Sequence, residues 1–148
     1  MSIDANYPGI LKKDMDTPAL LVDLDLMEAN IERMSRFLDS KGVRARPHYK
    51  THKTPAIALK QIEAGAIGIT CAKVEEAETL VNAGVKDILI ANEVVGAKKI
   101  TRLAGLCRHA NLMVAVDDKR NVMELSEGMS SAGAWLRVLV EINVGSNR

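Results

Sequence analysis

The sequence predicts a parallel α/β fold and, within that class, an incomplete (β/α)8 TIM-like barrel. Three observations carry the prediction. Short apolar segments recur at intervals of roughly 20 to 25 residues with an amphipathic helical stretch in each gap, the pattern of consecutive βαβ units. Gly65, Gly84 and Gly133 stand where those helices should stop. No G-x-G-x-x-G or G-x-x-x-x-G-K-[ST] motif follows any strand, which removes support for an open doubly wound nucleotide-binding sheet. The near-uniform length of the units favours closure into a barrel. Such a barrel takes about 250 residues, so a chain of 148 residues is expected to be the front part of a larger domain.

Residues 1–16 are polar and irregular, with Pro8 and Gly9 as breakers, and are expected to form a leading arm. The barrel portion then occupies residues 17–148. Thr17 and Pro18 open an apolar strand that ends near Asp23. Leu26, Ile31, Met34, Phe37 and Leu38 follow at helical spacing up to a stop at Gly42. The remaining strands are expected at Arg44–Tyr49, Ile67–Ala72, Asp87–Asn92, Leu112–Asp117 and Leu136–Val144. Helices are expected between them at Thr54–Ala64, Val74–Ala83, Ala97–Arg108 and Arg120–Ala132.

Composition narrows the function. A hydrophobic fraction of 47% fits a globular core, and a formal net charge of +1 gives no basic field to attract nucleic acid or an acidic membrane. An aromatic content of 3% leaves little to stack on bases. No apolar run approaches the roughly 20 residues that cross a bilayer. Cys71 and Cys107, without metal-ligand spacing or a secretory leader, read as reduced thiols of a cytoplasmic protein.

In a barrel the functional groups gather at the C-terminal ends of the strands. Arg46-Pro-His-Tyr-Lys-Thr-His-Lys53 holds the densest set. A period of two sends Arg44, Arg46, His48 and Lys50 to one face and Val43, Ala45, Pro47 and Tyr49 to the other. A solvated cationic edge has this pattern; so does a strand that aims a reactive amine into a pocket. Lysine is a poor helix cap, and the surrounding cations His48, His52 and Lys53 disfavour an ammonium at Lys50, which suits a Schiff-base nucleophile. Lys53 is expected to face solvent or a phosphate. His48 and His52 are four residues apart, but the glutamate of H-E-x-x-H is missing and Pro47 argues against a helix, so no metal ligand is assigned. Asn92, Asp117 and Asp118, at later strand ends, are expected to cap helices.

These residues resemble the D-threonine aldolases and eukaryotic-type D-serine dehydratases, whose N-terminal domain is the alanine-racemase-like barrel of fold-type III pyridoxal-phosphate enzymes. The resemblance runs through Thr17-Pro-Ala-Leu-Leu-Val-Asp-Leu-Asp25, the Arg46–Lys53 motif, Lys73-Val-Glu-Glu-Ala77, Asn92-Glu-Val-Val95 and Val140-Glu-Ile-Asn-Val-Gly-Ser-Asn-Arg148. It implies that Lys50 forms the Schiff-base linkage to pyridoxal 5'-phosphate, that Arg148 lies against the pyridine nitrogen, and that His52 neighbours the cofactor. The implied activity is that of a lyase on D-configured β-hydroxy amino acids, converting D-threonine to glycine and acetaldehyde. A D-serine or 3-hydroxyaspartate dehydratase or aldolase, or a non-catalytic pyridoxal-phosphate homeostasis protein, stands as the alternative. The resemblance further implies a homodimer and a divalent metal, with metal ligands and phosphate loops on parts of the family's chain beyond Arg148. One departure is Ala72, where the family commonly has glutamine. The 148 residues alone are expected to be poorly soluble and inactive, because a partial barrel leaves sheet edges open.

Overall fold

The computed structural model describes residues 9–145 and 147. Among the described residues five α-helices and four β-strands follow one another, alternating from α2 onward: α1 (Leu24–Ser40), α2 (Pro55–Glu63), β1 (Ile69–Cys71), α3 (Val74–Asn82), β2 (Asp87–Glu93), α4 (Ala97–Leu106), β3 (Asn111–Val116), α5 (Lys119–Ala132) and β4 (Arg137–Val140). The strands form one parallel sheet in chain order, β1-β2-β3-β4. Each new strand is laid beside the last, with no reversal of order, as a barrel requires; a doubly wound sheet would switch direction.

Residues 44–48 extend this progression on the β1 side. Thr70 N–H donates to Pro47 O at 2.7 Å, Ile67 N–H donates to Ala45 O at 2.9 Å, and His48 forms a parallel bridge with Thr70. The predicted strand is therefore an edge segment joined to β1 by few bonds. Residues 19–23 form no strand among the described residues. Their last member, Asp23, caps α1 instead, its carboxylate accepting from Leu26 N–H at 3.1 Å.

The core lies where the middle of the sheet meets its helices. Ile69, Ile88, Ile90, Leu112 and Val114 are buried from the strands, and Leu80, Leu103 and Leu125 close over them from α3, α4 and α5. Burying side chains of this size stabilises the fold by about 1.5–3 kcal/mol each. The ends of α2, α3 and α5 fall at Gly65, Gly84 and Gly133, each at positive φ. Gly133 takes the left-handed conformation at the end of α5, where its N–H and that of Ala134 reach back to Ser130 O and Met129 O.

At the N-terminal ends of the strands an ion-pair cluster ties together three alternate segments, residues 44–48, β2 and β4. Asp87, opening β2, accepts from Arg46 at 2.6 Å and from Arg137 of β4 at 3.2 Å. Gly68 sits beneath it with φ +149°, and a Cβ there would overlap Arg46 Nη1 and the Asp87 carbonyl oxygen. Arg46, expected as part of a cationic face, thus serves the opposite end of the sheet from Lys50.

Candidate functional site

Strand pairing stops at His48, and the backbone tightens into a single 3-10 turn over Tyr49–Thr51. Both histidines of the motif shape this turn. His48 Nδ1 accepts from Lys50 N–H at 3.2 Å, and His52 Nδ1 accepts from Thr54 N–H at 3.1 Å, one residue before α2 begins. Each imidazole bonds the amide two residues on, as an Asx turn does. Thr51 Oγ1 donates to His48 O and Thr54 Oγ1 to His52 O, at 2.9 and 2.8 Å.

Lys50 lies inside this turn and is exposed. Among the described residues its amine has no carboxylate partner. Tyr49 alternates with it and is buried, packing edge-on against His52 with ring centroids 5.5 Å apart. His52 Nε2 is buried and lacks a hydrogen-bond partner among the described residues. Because Nδ1 accepts, Nε2 carries the proton of the neutral ring, so a donor is left unmet one turn from Lys50. Arg148, the other residue expected at the cofactor, lies outside the described residues.

The turn breaks the period of two, yet Lys53 is largely exposed, as expected of a side chain that faces solvent. Its ammonium is 3.6 Å from Glu76 Oε1. Glu76 is the third residue of α3; its other oxygen accepts from Ala72 N–H at 2.8 Å, at the end of β1. Ala72 O in turn accepts from Asn92 Nδ2 of β2 at 3.4 Å. Asn92 therefore clamps the neighbouring strand end, and the cap position of α4 belongs to Gly96. Asp118 does cap its helix, accepting from Arg120 N–H at 2.7 Å, and the Arg120 side chain holds its carboxyl below the usual range.

These three strand ends surround a cleft of about 570 Å³ lined by Lys53, Ala72, Lys73, Glu76, Asn92 and Glu93, among others. Charge in the region is graded. His48 titrates below its ordinary 6.5, first because of burial and then because of Lys50, with Glu76 opposing. Burial, with Glu76 adding, pushes the Cys71 thiol up to about 12, and burial pushes Cys107 to about 11, so neither is a ready thiolate. Glu76 was not among the residues expected at the site. Its signal was present in Lys73-Val-Glu-Glu, a glutamate three residues after a helix start.

Among the described residues the arrangement offers an amine without an ion-pair partner on a braced turn, an unmet buried donor two residues on, and a polar cleft at the strand ends that Lys53 lines and Lys50 and His52 do not. These features fit an acceptor-rich cofactor that carries an aldehyde.

Residues 22–148 match the model of the alanine racemase N-terminal domain. The D-threonine aldolase of an Arthrobacter species is 47% identical over 95% of this chain and 37% of its own length. The crystal structure of D-threonine aldolase from Filomicrobium marinum superimposes with a TM-score of 0.88 at 53% identity, covering 91% of this chain and 37% of that one. A D-threo-3-hydroxyaspartate dehydratase variant, solved in the metal-free form, gives a TM-score of 0.79 at 38% identity over 90% of this chain and 35% of its own. The chain thus spans little more than a third of the relatives it matches. With the sheet order, the strand-end turn and the match over residues 22–148 in agreement, the chain belongs to the alanine racemase N-terminal domain family.

Proposed function

We propose that the whole protein to which these residues belong is a pyridoxal 5'-phosphate-dependent lyase of the D-threonine aldolase type, acting on D-configured β-hydroxy amino acids. The observation that carries this reading is the contrast between Lys50 and Lys53: among the described residues the second is tied to a carboxylate and the first is not. Lys50 supplies the amine that holds the cofactor's aldehyde, and the His48 cap keeps its backbone in the turn. His52 offers Nε2–H as a donor to the cofactor, and Arg148 belongs to the same proposal as the partner of the ring nitrogen. The cofactor, when bound, supplies the electron sink that stabilises negative charge at the substrate Cα.

The likeness to a D-threo-3-hydroxyaspartate dehydratase supports a second reading, in which the β-hydroxyl is expelled and the Cα–Cβ bond is kept. A divalent metal fits either reading, and that relative's metal-free form supports it. Among the described residues no three of His, Cys, Asp and Glu converge on a metal position. A cytoplasmic homodimer completes the proposal. In support of a protein that does not span the bilayer, no described helix is long and apolar enough to cross a membrane.

The test is borohydride reduction of the whole protein with pyridoxal 5'-phosphate, followed by peptide mapping. The pyridoxyl group should be found on Lys50. A label on Lys53 or Lys73, with Lys50 unmodified, would remove the reading.

A further inference from the structure

Glu76 occupies the helix position from which a glutamate reaches back to the first free amides, and its bond to Ala72 N–H is of that kind. Capping does not account for its other contact. Lys53 comes from the loop after a different strand, and its φ of +48° is left-handed, a conformation that costs a non-glycine residue about 1 kcal/mol or more. Three contacts hold it there: its N–H donates to Tyr49 O at 2.8 Å, its carbonyl accepts from Tyr49 OH at 2.9 Å, and its ammonium meets Glu76. Lys50 lies inside the loop those contacts close. The Glu76 side chain is only 11% exposed, so this pair is screened less than an open surface pair.

We propose that Glu76 is a positioning residue for Lys50. One oxygen grips the end of β1 through Ala72 and the other grips Lys53, so the Tyr49–Lys53 turn is fixed against the neighbouring strand and Lys50 is presented from one direction. Asn92 extends the brace to β2 by holding the Ala72 carbonyl. The inference rests on the reading of Lys50 given above and deepens it.

The experiment is a double-mutant cycle in the whole protein with Glu76→Gln, Lys53→Met and the pair together. The readouts are the rate of covalent linkage to pyridoxal 5'-phosphate at saturating cofactor, the position of the borohydride-trapped label and the unfolding temperature. Glu76→Gln keeps an acceptor for Ala72 and loses the charge; Lys53→Met changes a side chain that is 65% exposed and should fold readily. Each single variant should slow linkage to Lys50 by about tenfold, and the double variant should be no slower than either. Lys53→Arg, which keeps the charge, should restore the rate. Independent, multiplicative effects, or linkage rates unchanged in both singles, would overturn the proposal and leave Glu76 as a helix cap. A wild-type label away from Lys50 would overturn it together with the functional reading, so the two failures are told apart in the unsubstituted protein.

Discussion

The middle of the sheet and its two flanks are built from similar residues and packed very differently. Ile69, Ile88, Ile90 and Val114 are fully enclosed, whereas Val138, Leu139 and Val140 of β4 are all exposed. On the other flank Leu20 is 96% exposed, and Met34 and Phe37 of α1 are open as well. Apolar strand sequence alone does not decide burial; a layer packed over the face that the side chain points to does. The turn that carries Lys50 stands at the boundary between the two regimes. Its inner side is fixed by β1, Glu76 and Tyr49, while the edge of residues 44–48 away from β1 carries no strand among the described residues.

The sharpest way to break this comparison is truncation on both sides of it. Ile88→Ala removes a side chain that is completely buried between β1 and β3 and should cost about 2–5 kcal/mol. Trp135→Ala removes a larger side chain that is 92% exposed, and in this chain it should change stability by no more than about 0.5 kcal/mol. Denaturant unfolding of the two variants measures both. Equal losses would mean that the flank is packed as tightly as the middle.

Gly68→Ala probes the join between edge and middle and should rank second. The new methyl would strike the Asp87 carbonyl and the Arg46 guanidinium at a φ that side chains rarely adopt, so a loss of about 1–3 kcal/mol is expected. Arg46 can swing only by leaving Asp87, which loosens residues 44–48 from β2. Unfolding midpoints compared with and without an added Arg46→Met change would show whether the two effects share that ion pair.

The same boundary explains what was legible in the sequence. The four sheet strands and the helices from Pro55 onward lie within a few residues of the expected segments, because their hydrophobic period and their neighbours agree. The apolar run at residues 19–23 was expected as a strand on composition, but pairing partners are a long-range property that composition does not hold. Lys50 at the end of its segment was legible for the same reason as the strands. The contact of Lys53 with Glu76 was not: it depends on the 3-10 turn, which rests on imidazole-to-amide bonds, and on Glu76, a residue distant in sequence. Arg46 was assigned to a cationic face, whereas it meets Asp87 across the sheet.

The smallest expected effect concerns that turn and is read with pH. His48 must be neutral at Nδ1 to accept the Lys50 amide, and its folded pKa lies below 6.5 because burial and Lys50 disfavour the imidazolium. A depressed folded value means that the unfolded chain binds the proton more readily. The contribution to stability is therefore fully present above 6.5 and is lost as pH falls through the lowered folded value. Unfolding midpoints should decline in that window, by more than in His48→Asn, whose amide oxygen can make the same local bond without titrating. Glu76 opposes the shift, so Glu76→Gln should move the window to lower pH. Parallel acid profiles for wild type and His48→Asn would show that the turn is held by its other bonds, with Thr51 and Tyr49 as the remaining anchors.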